Sequence, residues 1–230
     1  MKIGKIVAIV GVLFFLSVTG LFFFKGKVLR SVVAPLTTQN SVDKADFIFV
    51  LMGDLVYRPY AAAELYRKNY AHKIIYCRTP SNLLEERKII PSEHSIVRKI
   101  LEDVGVAGED ILLLPGAPIT STVEEGLMLK DYLLTQEPRP KRGIIITSWD
   151  GGRPSWILKK IIEPLGIQLD FLGVDVGRYA QDNWWRSRES ITRVASEYVK
   201  WTYYHWIFFK NGTPRTVAQV RAVTLPHSGP

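Results

Sequence analysis

The sequence predicts an α/β protein built around one parallel sheet. Between residues 45 and 209, short apolar runs of strand length alternate with segments of helix length. Strands separated by helices form right-handed βαβ units, in which the strands pair in parallel and the helices cover both faces of the sheet. A long uncharged segment precedes this region. We therefore expect a three-layer, Rossmann-like parallel sheet of about five strands, preceded by one transmembrane helix.

The uncharged segment covers residues 6–24 and contains 19 residues. A helix that rises about 1.5 Å per residue needs roughly this length to cross a hydrocarbon layer of about 30 Å. Basic residues flank the segment on both sides, so residues 1–30 are interpreted as a membrane anchor in contact with the lipid bilayer. A cleaved signal peptide is the alternative, but its apolar region would be unusually long. Residues 31–44, which include a proline, are predicted to be a linker.

Residues 45–209 are predicted to form the α/β domain. Its first strand is a continuous apolar run, ADFIFVLMG, as expected for a strand that is covered on both faces. Ser121 and Glu124 form a capping-box pattern at the start of the third helix. The expected order is strand 45–53, helix 57–69, strand 73–77, helix 91–105, strand 110–116, helix 121–135, strand 142–149, helix 153–166, strand 167–174 and helix 182–209. Residues 210–230 are predicted to be a disordered basic tail.

The net charge of +8 is concentrated at the two ends of the chain. Five basic residues lie in residues 1–30 and three in residues 210–230, with no acidic residue in either segment, so residues 31–209 are neutral overall. The domain is therefore not expected to bind nucleic acid, whereas the basic ends can contact lipid headgroups. The four histidines lack the spacing of zinc ligands, and no metal site is expected. There is neither a Walker loop nor a dinucleotide-binding glycine fingerprint, and no cofactor follows from the sequence.

Polar residues follow the predicted strands at the edge where parallel sheets bind ligands. The predicted ligand-binding residues are Gly53, Asp54, Arg58, Thr122, Glu125, Ser148, Gly151, Gly152 and Arg153. Arginine can bind a phosphate or carboxylate with two hydrogen bonds, and glycines at a helix start expose N–H groups that favour anions. If the site is catalytic, Asp150 or Glu93 is the candidate general base, and Asp54 with Glu125 can hold a divalent cation.

Each of these features has a purely structural alternative. The loop Asp150–Arg153 can be a flexible turn that joins a strand to a helix. Glu93 lies at a helix start, where a carboxylate complements the helix dipole without any ligand. The last helix is rich in aromatic residues, and its final stretch WTYYHWIFFK either lies among lipid headgroups or packs on the sheet. The sequence leaves these alternatives open.

Five segments in this order resemble the YdcF-like family, which includes the SanA and ElyC envelope proteins. They are ADFIFVLMGD with the following Arg58, PSEHSIVRKIL, DILLLPGAPITSTVEEG, IIITSWDGGRPSW and NWWRSRESITRVASEYVKWTYY. The resemblance covers residues 45–204 and also suits a single N-terminal anchor. It departs from the family after each of the first four strands, and most clearly after the fourth, where the loop usually contains a histidine. This chain has Trp149, Asp150, Gly151 and Gly152 there instead.

The resemblance implies a single-pass protein of the bacterial cytoplasmic membrane, with its domain outside the cytoplasm. It also implies a role in cell-envelope biogenesis or barrier integrity, and nucleotide-like ligands such as S-adenosylmethionine. We therefore expect a domain that binds a small anionic ligand at the strand ends. The alternatives are a hydrolase or transferase that acts on a phosphorylated envelope intermediate, and a non-catalytic membrane scaffold.

Overall fold

A computed structural model describes residues 11, 25–38, 41–175 and 181–224. The described chain contains five strands: β1 (Phe47–Val50), β2 (Ile74–Tyr76), β3 (Ile111–Leu113), β4 (Arg142–Ser148) and β5 (Gln168–Val174). They form one sheet in the order β3-β2-β1-β4-β5, and every neighbouring pair is parallel. The predicted α/β fold with a five-stranded parallel sheet is confirmed.

Helices connect the strands and cover the sheet. They are α1 (residues 25–33), α2 (Tyr57–Arg67), α3 (Leu83–Glu86), α4 (Glu93–Asp103), α5 (Thr122–Leu134), α6 (Gly152–Ile162), α7 (Arg188–Asn211) and α8 (Val217–Thr224). Helix α2 packs against α4, and α5 packs against α6. Right-handed crossovers on either side of β1 place these two pairs on opposite faces of the sheet. The result is the three-layer arrangement expected for this strand order.

The centre of the core lies where β1 pairs with β4. All four residues of β1 are buried, which explains its uninterrupted apolar sequence. Gly143 on β4 is paired with Phe47 in the register of the two strands. A Cβ at Gly143 would lie only 2.2 Å from Phe47 Cζ. The glycine is therefore needed for the phenylalanine ring to occupy this position.

Two of the predicted terminal segments contain ordered or buried residues that the sequence did not indicate. Within the predicted disordered tail, residues 210–230, helix α8 forms and packs on α5, with Val220 only 6% exposed. Within the predicted linker, residues 31–44, Val33 and Leu36 are fully buried in a cluster with Trp149 and other apolar residues. Both segments contain few apolar residues, so composition alone did not reveal that those few are buried. We call residues 25–38 the N-terminal strap.

Across the part of the chain that the structure describes, no helix is both long and apolar enough to cross a bilayer. The predicted span, residues 6–24, lies outside the described residues apart from Gly11.

The aromatic residues of the last predicted helix divide into two groups. Trp184 is buried, and its indole N–H donates a hydrogen bond of 2.9 Å to the carbonyl of Leu29 in the strap. In contrast, Trp206 and Phe209 in the last turns are 63% and 85% exposed. Packing therefore explains the buried Trp184. For the exposed rings of Trp206 and Phe209, contact with lipid headgroups stays a prediction.

Candidate functional site

The strand order reverses between β1 and β4, and Arg58 of α2 fills the gap between their carboxyl ends. Its Nη1 donates to the carbonyl oxygens of Leu51 at 2.8 Å and Met52 at 2.6 Å. Its Nη2 donates to Ser148 Oγ at 2.8 Å. Burial lowers the pKa of Arg58, although the nearby carboxylates of Glu125 and other residues act against this shift. Arg58 therefore ties together the two strand ends at the switch point.

Asp54 and Ser148 support this arrangement. Asp54 Oδ1 accepts hydrogen bonds of 3.1 Å from the backbone N–H groups of Val56 and Arg58, at the start of α2. A carboxylate in this position stabilises the first turn of a helix. Ser148 is buried and accepts the hydrogen bond from Arg58. Both residues have contacts within the fold that account for their position.

Glu125 is a buried carboxyl group next to the switch point. It lies in the first turn of α5, is 4% exposed, and its Oε1 accepts a hydrogen bond of 2.7 Å from the N–H of Met52. Burial raises the pKa of Glu125 to about 7, even though the Met52 N–H and the charges of Arg58 and Arg153 favour the ionised form. The described residues supply no hydrogen bond to Oε2. Glu125 therefore takes up a proton near neutral pH.

A cleft of about 630 Å³ opens beside Glu125. Its charged lining residues are Glu125, Arg153 and Lys200. Its hydroxyl-bearing lining residues are Thr79, Thr120, Ser121, Thr122, Tyr203 and Tyr204. The loop after β1 contributes Gly53. The cleft thus combines two cations, one carboxyl group near its pKa and many hydrogen-bond donors.

Arg153 is held in place at the side of this cleft by α7. Its Nε lies 2.7 Å from Glu197 Oε2, and its Nη1 lies 3.4 Å from Thr122 Oγ1. Its guanidinium group lies over the ring of Tyr204, 5.6 Å from the centroid. Lys200 also contacts Glu197, at 3.0 Å. Two cations therefore share the carboxylate of Glu197, which leaves excess positive charge at the cleft while Glu125 is protonated.

The charge balance keeps Glu197 ionised. Burial acts to raise the pKa of Glu197, but hydrogen bonds and charge from Arg153 and Lys200 outweigh it and hold the pKa below its ordinary value. Because Glu197 is buried, this ion pair is screened less than a surface pair.

Asp150 follows β4 and lies outside the lining of the cleft. Its carboxylate is 5% exposed and accepts hydrogen bonds from Arg193 of α7, with Oδ1 at 2.8 Å from Nη2 and Oδ2 in contact with Nε. Both oxygen atoms are therefore engaged in an ion pair. The role of Asp150 as a general base stays a prediction, and this geometry does not favour it.

Gly151 and Gly152 pack against the N-terminal strap. A Cβ at Gly152 would lie 2.5 Å from the carbonyl oxygen of Pro35, and one at Gly151 would lie 2.4 Å from Thr38 Oγ1. The N–H of Thr38 donates to the carbonyl of Trp149 at 3.1 Å. These glycines therefore allow another part of the same chain, the strap, to approach the backbone closely. Their contact with a ligand stays a prediction.

Glu93 lies next to the rim of the cleft. Its Oε2 accepts a hydrogen bond of 3.0 Å from Thr79 Oγ1, and Thr79 lines the cleft. Of the predicted residues, the structure places Gly53, Thr122, Glu125 and Arg153 in the lining itself. Among the described residues, no group of three or more His, Cys, Asp or Glu side chains is arranged to hold a metal ion.

Sequence reasoning missed the contribution of α7. Arg193, Glu197, Lys200 and Tyr204 are spaced by four, three and four residues, so they share one face of the helix. That spacing was a usable signal, but a row of charges on a helix usually indicates a solvent-exposed face. Here the row faces the sheet edge and supplies partners to Asp150 and Arg153.

No protein-family model matches the chain, and no curated protein matches it at a significant level. The resemblance to the YdcF-like family therefore rests on the five sequence segments alone. The function has to be argued from the geometry of the site.

Proposed function

We propose that this chain is a YdcF-like protein that is anchored in the membrane by residues 6–24 and binds a small anionic ligand in the cleft. The ligand is phosphate- or nucleotide-like, and the role is in cell-envelope biogenesis or barrier integrity. The observation that carries the proposal is the pairing of Arg153 and Lys200 with a single carboxylate, beside a wall of hydroxyl groups.

The chemistry of the cleft suits the oxygen atoms of a phosphate. Arginine and lysine supply charge-assisted hydrogen bonds, and threonine, serine and tyrosine hydroxyls can donate to the remaining oxygen atoms. The protonation state of Glu125 affects this binding. When protonated it donates a hydrogen bond to an anion, and when ionised it repels one. We therefore place the ligand in contact with Arg153, Lys200 and Thr122, next to Glu125.

In this proposal Arg58 supports the fold rather than contacting the ligand. Its three hydrogen bonds go to Leu51, Met52 and Ser148, and Arg58 is not among the residues that line the cleft. In this proposal it supports the strand ends and adds positive potential near Glu125, while Arg153 contacts the ligand.

Calorimetric titration of the full chain in phosphatidylcholine nanodiscs tests the proposal. The probes are inorganic sulfate, inorganic phosphate, adenosine monophosphate and S-adenosylmethionine. Lys200→Gln and Thr122→Val each remove one proposed contact, and we expect a roughly tenfold weaker affinity for the probe that binds. Arg67→Gln on the exposed end of α2 is the matched charge control. If no probe binds, or if both cleft variants bind like the parent, the proposal is rejected.

A second candidate function is a hydrolase or transferase that acts on a phosphorylated envelope intermediate. Glu125 favours it, because a buried carboxyl group with a pKa of about 7 in a cleft is suited to general acid–base catalysis. Phosphoester turnover by the full chain, with and without magnesium or manganese, tests this candidate. Glu125→Gln should abolish turnover, whereas Asp150→Asn and Glu93→Gln should not if Glu125 is the base. If Glu125→Gln retains turnover, a different residue is the general base.

A further inference from the structure

A second cavity, of about 920 Å³, lies between α5, α6, α7 and α8. We call it the α8 groove. Tyr204 lines both this groove and the cleft, so the two cavities share one wall. None of the charged residues of the cleft lines the groove. Its volume falls within the range of about 300–1,000 Å³ that is typical of small-molecule sites.

The floor of the groove is apolar. It is formed by Val123, Ile161, Leu165, Ile207, Phe208 and Val220. These side chains come from four helices, α5 to α8, and from the turn after α6. An alkyl chain that covers such a surface is stabilised by about 25 cal/mol for each Å² of apolar area removed from water.

The rim of the groove is positively charged. Lys130, Lys160 and Arg215 line it, and none of the lining residues is acidic. Within the described ranges, none of these three cations forms an ion pair. The ammonium group of Lys130 instead donates to the carbonyl of Arg215 at 3.3 Å. Three cations without acidic partners therefore surround an apolar floor.

We propose that the α8 groove binds a single-chain anionic amphiphile. The acyl chain lies on the floor made by Ile161, Phe208 and Val220, and the carboxylate or phosphate headgroup meets Lys130, Lys160 and Arg215. This site is separate from the anion cleft and does not depend on the function proposed for it. The combination of charge and apolar surface distinguishes this ligand class, because an uncharged lipid leaves three cations unpaired and a free phosphate leaves the floor exposed.

Photolabelling tests the proposal. The full chain in phosphatidylcholine nanodiscs is irradiated with palmitate that carries a diazirine on its chain, or with the matching diazirine hexadecanol, and the labelled peptides are identified by mass spectrometry. We expect palmitate to label residues 161–165 and 204–222, with hexadecanol labelling them several-fold less. Unlabelled palmitate and hexadecyl phosphate serve as competitors, and the stronger competitor identifies the headgroup.

Two kinds of variant separate charge from shape. Lys160→Gln combined with Arg215→Gln should reduce palmitate labelling roughly tenfold, because each exposed ion pair contributes a few-fold to affinity. Ala222→Phe fills the groove without changing its charge and should also reduce labelling. Arg67→Gln combined with Arg87→Gln removes the same charge elsewhere and should have no effect. Equal labelling by acid and alcohol, or labelling that is unchanged in both groove variants, overturns the proposal.

Discussion

Glu125→Gln should stabilise the protein at alkaline pH and have little effect in acid. The pKa of Glu125 is raised from 4.5 to about 7 in the folded state. Below pH 4.5 the carboxyl group is protonated in both the folded and the unfolded chain, so it contributes no pH dependence. As the pH rises towards 7, the unfolded chain ionises first, and folding is penalised by about 1.4 kcal/mol per pH unit. Above pH 7 the penalty levels off at about 3 kcal/mol.

Denaturant unfolding measured between pH 4 and pH 9 checks this expectation. Glutamine still accepts the hydrogen bond from the Met52 N–H but cannot ionise, so the free energy of unfolding of Glu125→Gln should exceed that of the parent by about 3 kcal/mol at pH 8. At pH 4 the two proteins should agree. Glu163→Gln, an exposed substitution of the same kind, should show no such divergence. A constant difference between Glu125→Gln and the parent across this range refutes the reasoning.

Three further substitutions test other contacts. In Arg58→Lys, the single ammonium group cannot make all three hydrogen bonds of the guanidinium group, so the free energy of unfolding should fall by about 2–4 kcal/mol. Arg67→Lys on the same helix should change it by less than about 0.5 kcal/mol. Gly152→Ala should displace the N-terminal strap and expose residues 25–38 to protease, while Gly26→Ala, whose Cβ meets nothing within 4 Å, should not. Arg221→Gln should cost about 1–2 kcal/mol and accelerate hydrogen exchange in α8, because it leaves a buried carboxylate on α5 without its cation.

The sheet was predictable because its signal is local. A central parallel strand is buried on both faces, so Phe47–Val50 reads as an uninterrupted apolar run, and glycine and proline mark the ends of the helices between the strands. The cap at the start of α5 was predictable for the same reason. Ser121 Oγ accepts a hydrogen bond from the N–H of Glu124 at 3.3 Å, as the spacing of these residues indicated.

The partners within the site were not predictable, because they are distant in sequence. Arg153 and Glu197 are 44 residues apart, and Arg58 and Ser148 are 90 residues apart. A sequence pattern shows which residues can pair with a carboxylate or an arginine, but only the path of α7 decides which ones do. The same limit applies to α8, where a short segment of mixed composition gains its order from packing against α5.

The loop after β4 shows why a glycine pair is an ambiguous signal. Two adjacent glycines indicate that something approaches the backbone closely, and a bound anion and another part of the same chain satisfy that requirement equally well. Here Pro35 and Thr38 of the strap, together with the side chain of Thr147 in β4, occupy the space. Helix α6 begins at Gly152, and Arg153 is its next residue, so the strap contacts the turn that sets the position of the cleft arginine. Displacement of the strap is therefore expected to shift the first turn of α6 and, with it, Arg153. Through Gly151 and Gly152, the strap connects the N-terminal segment to the proposed ligand site.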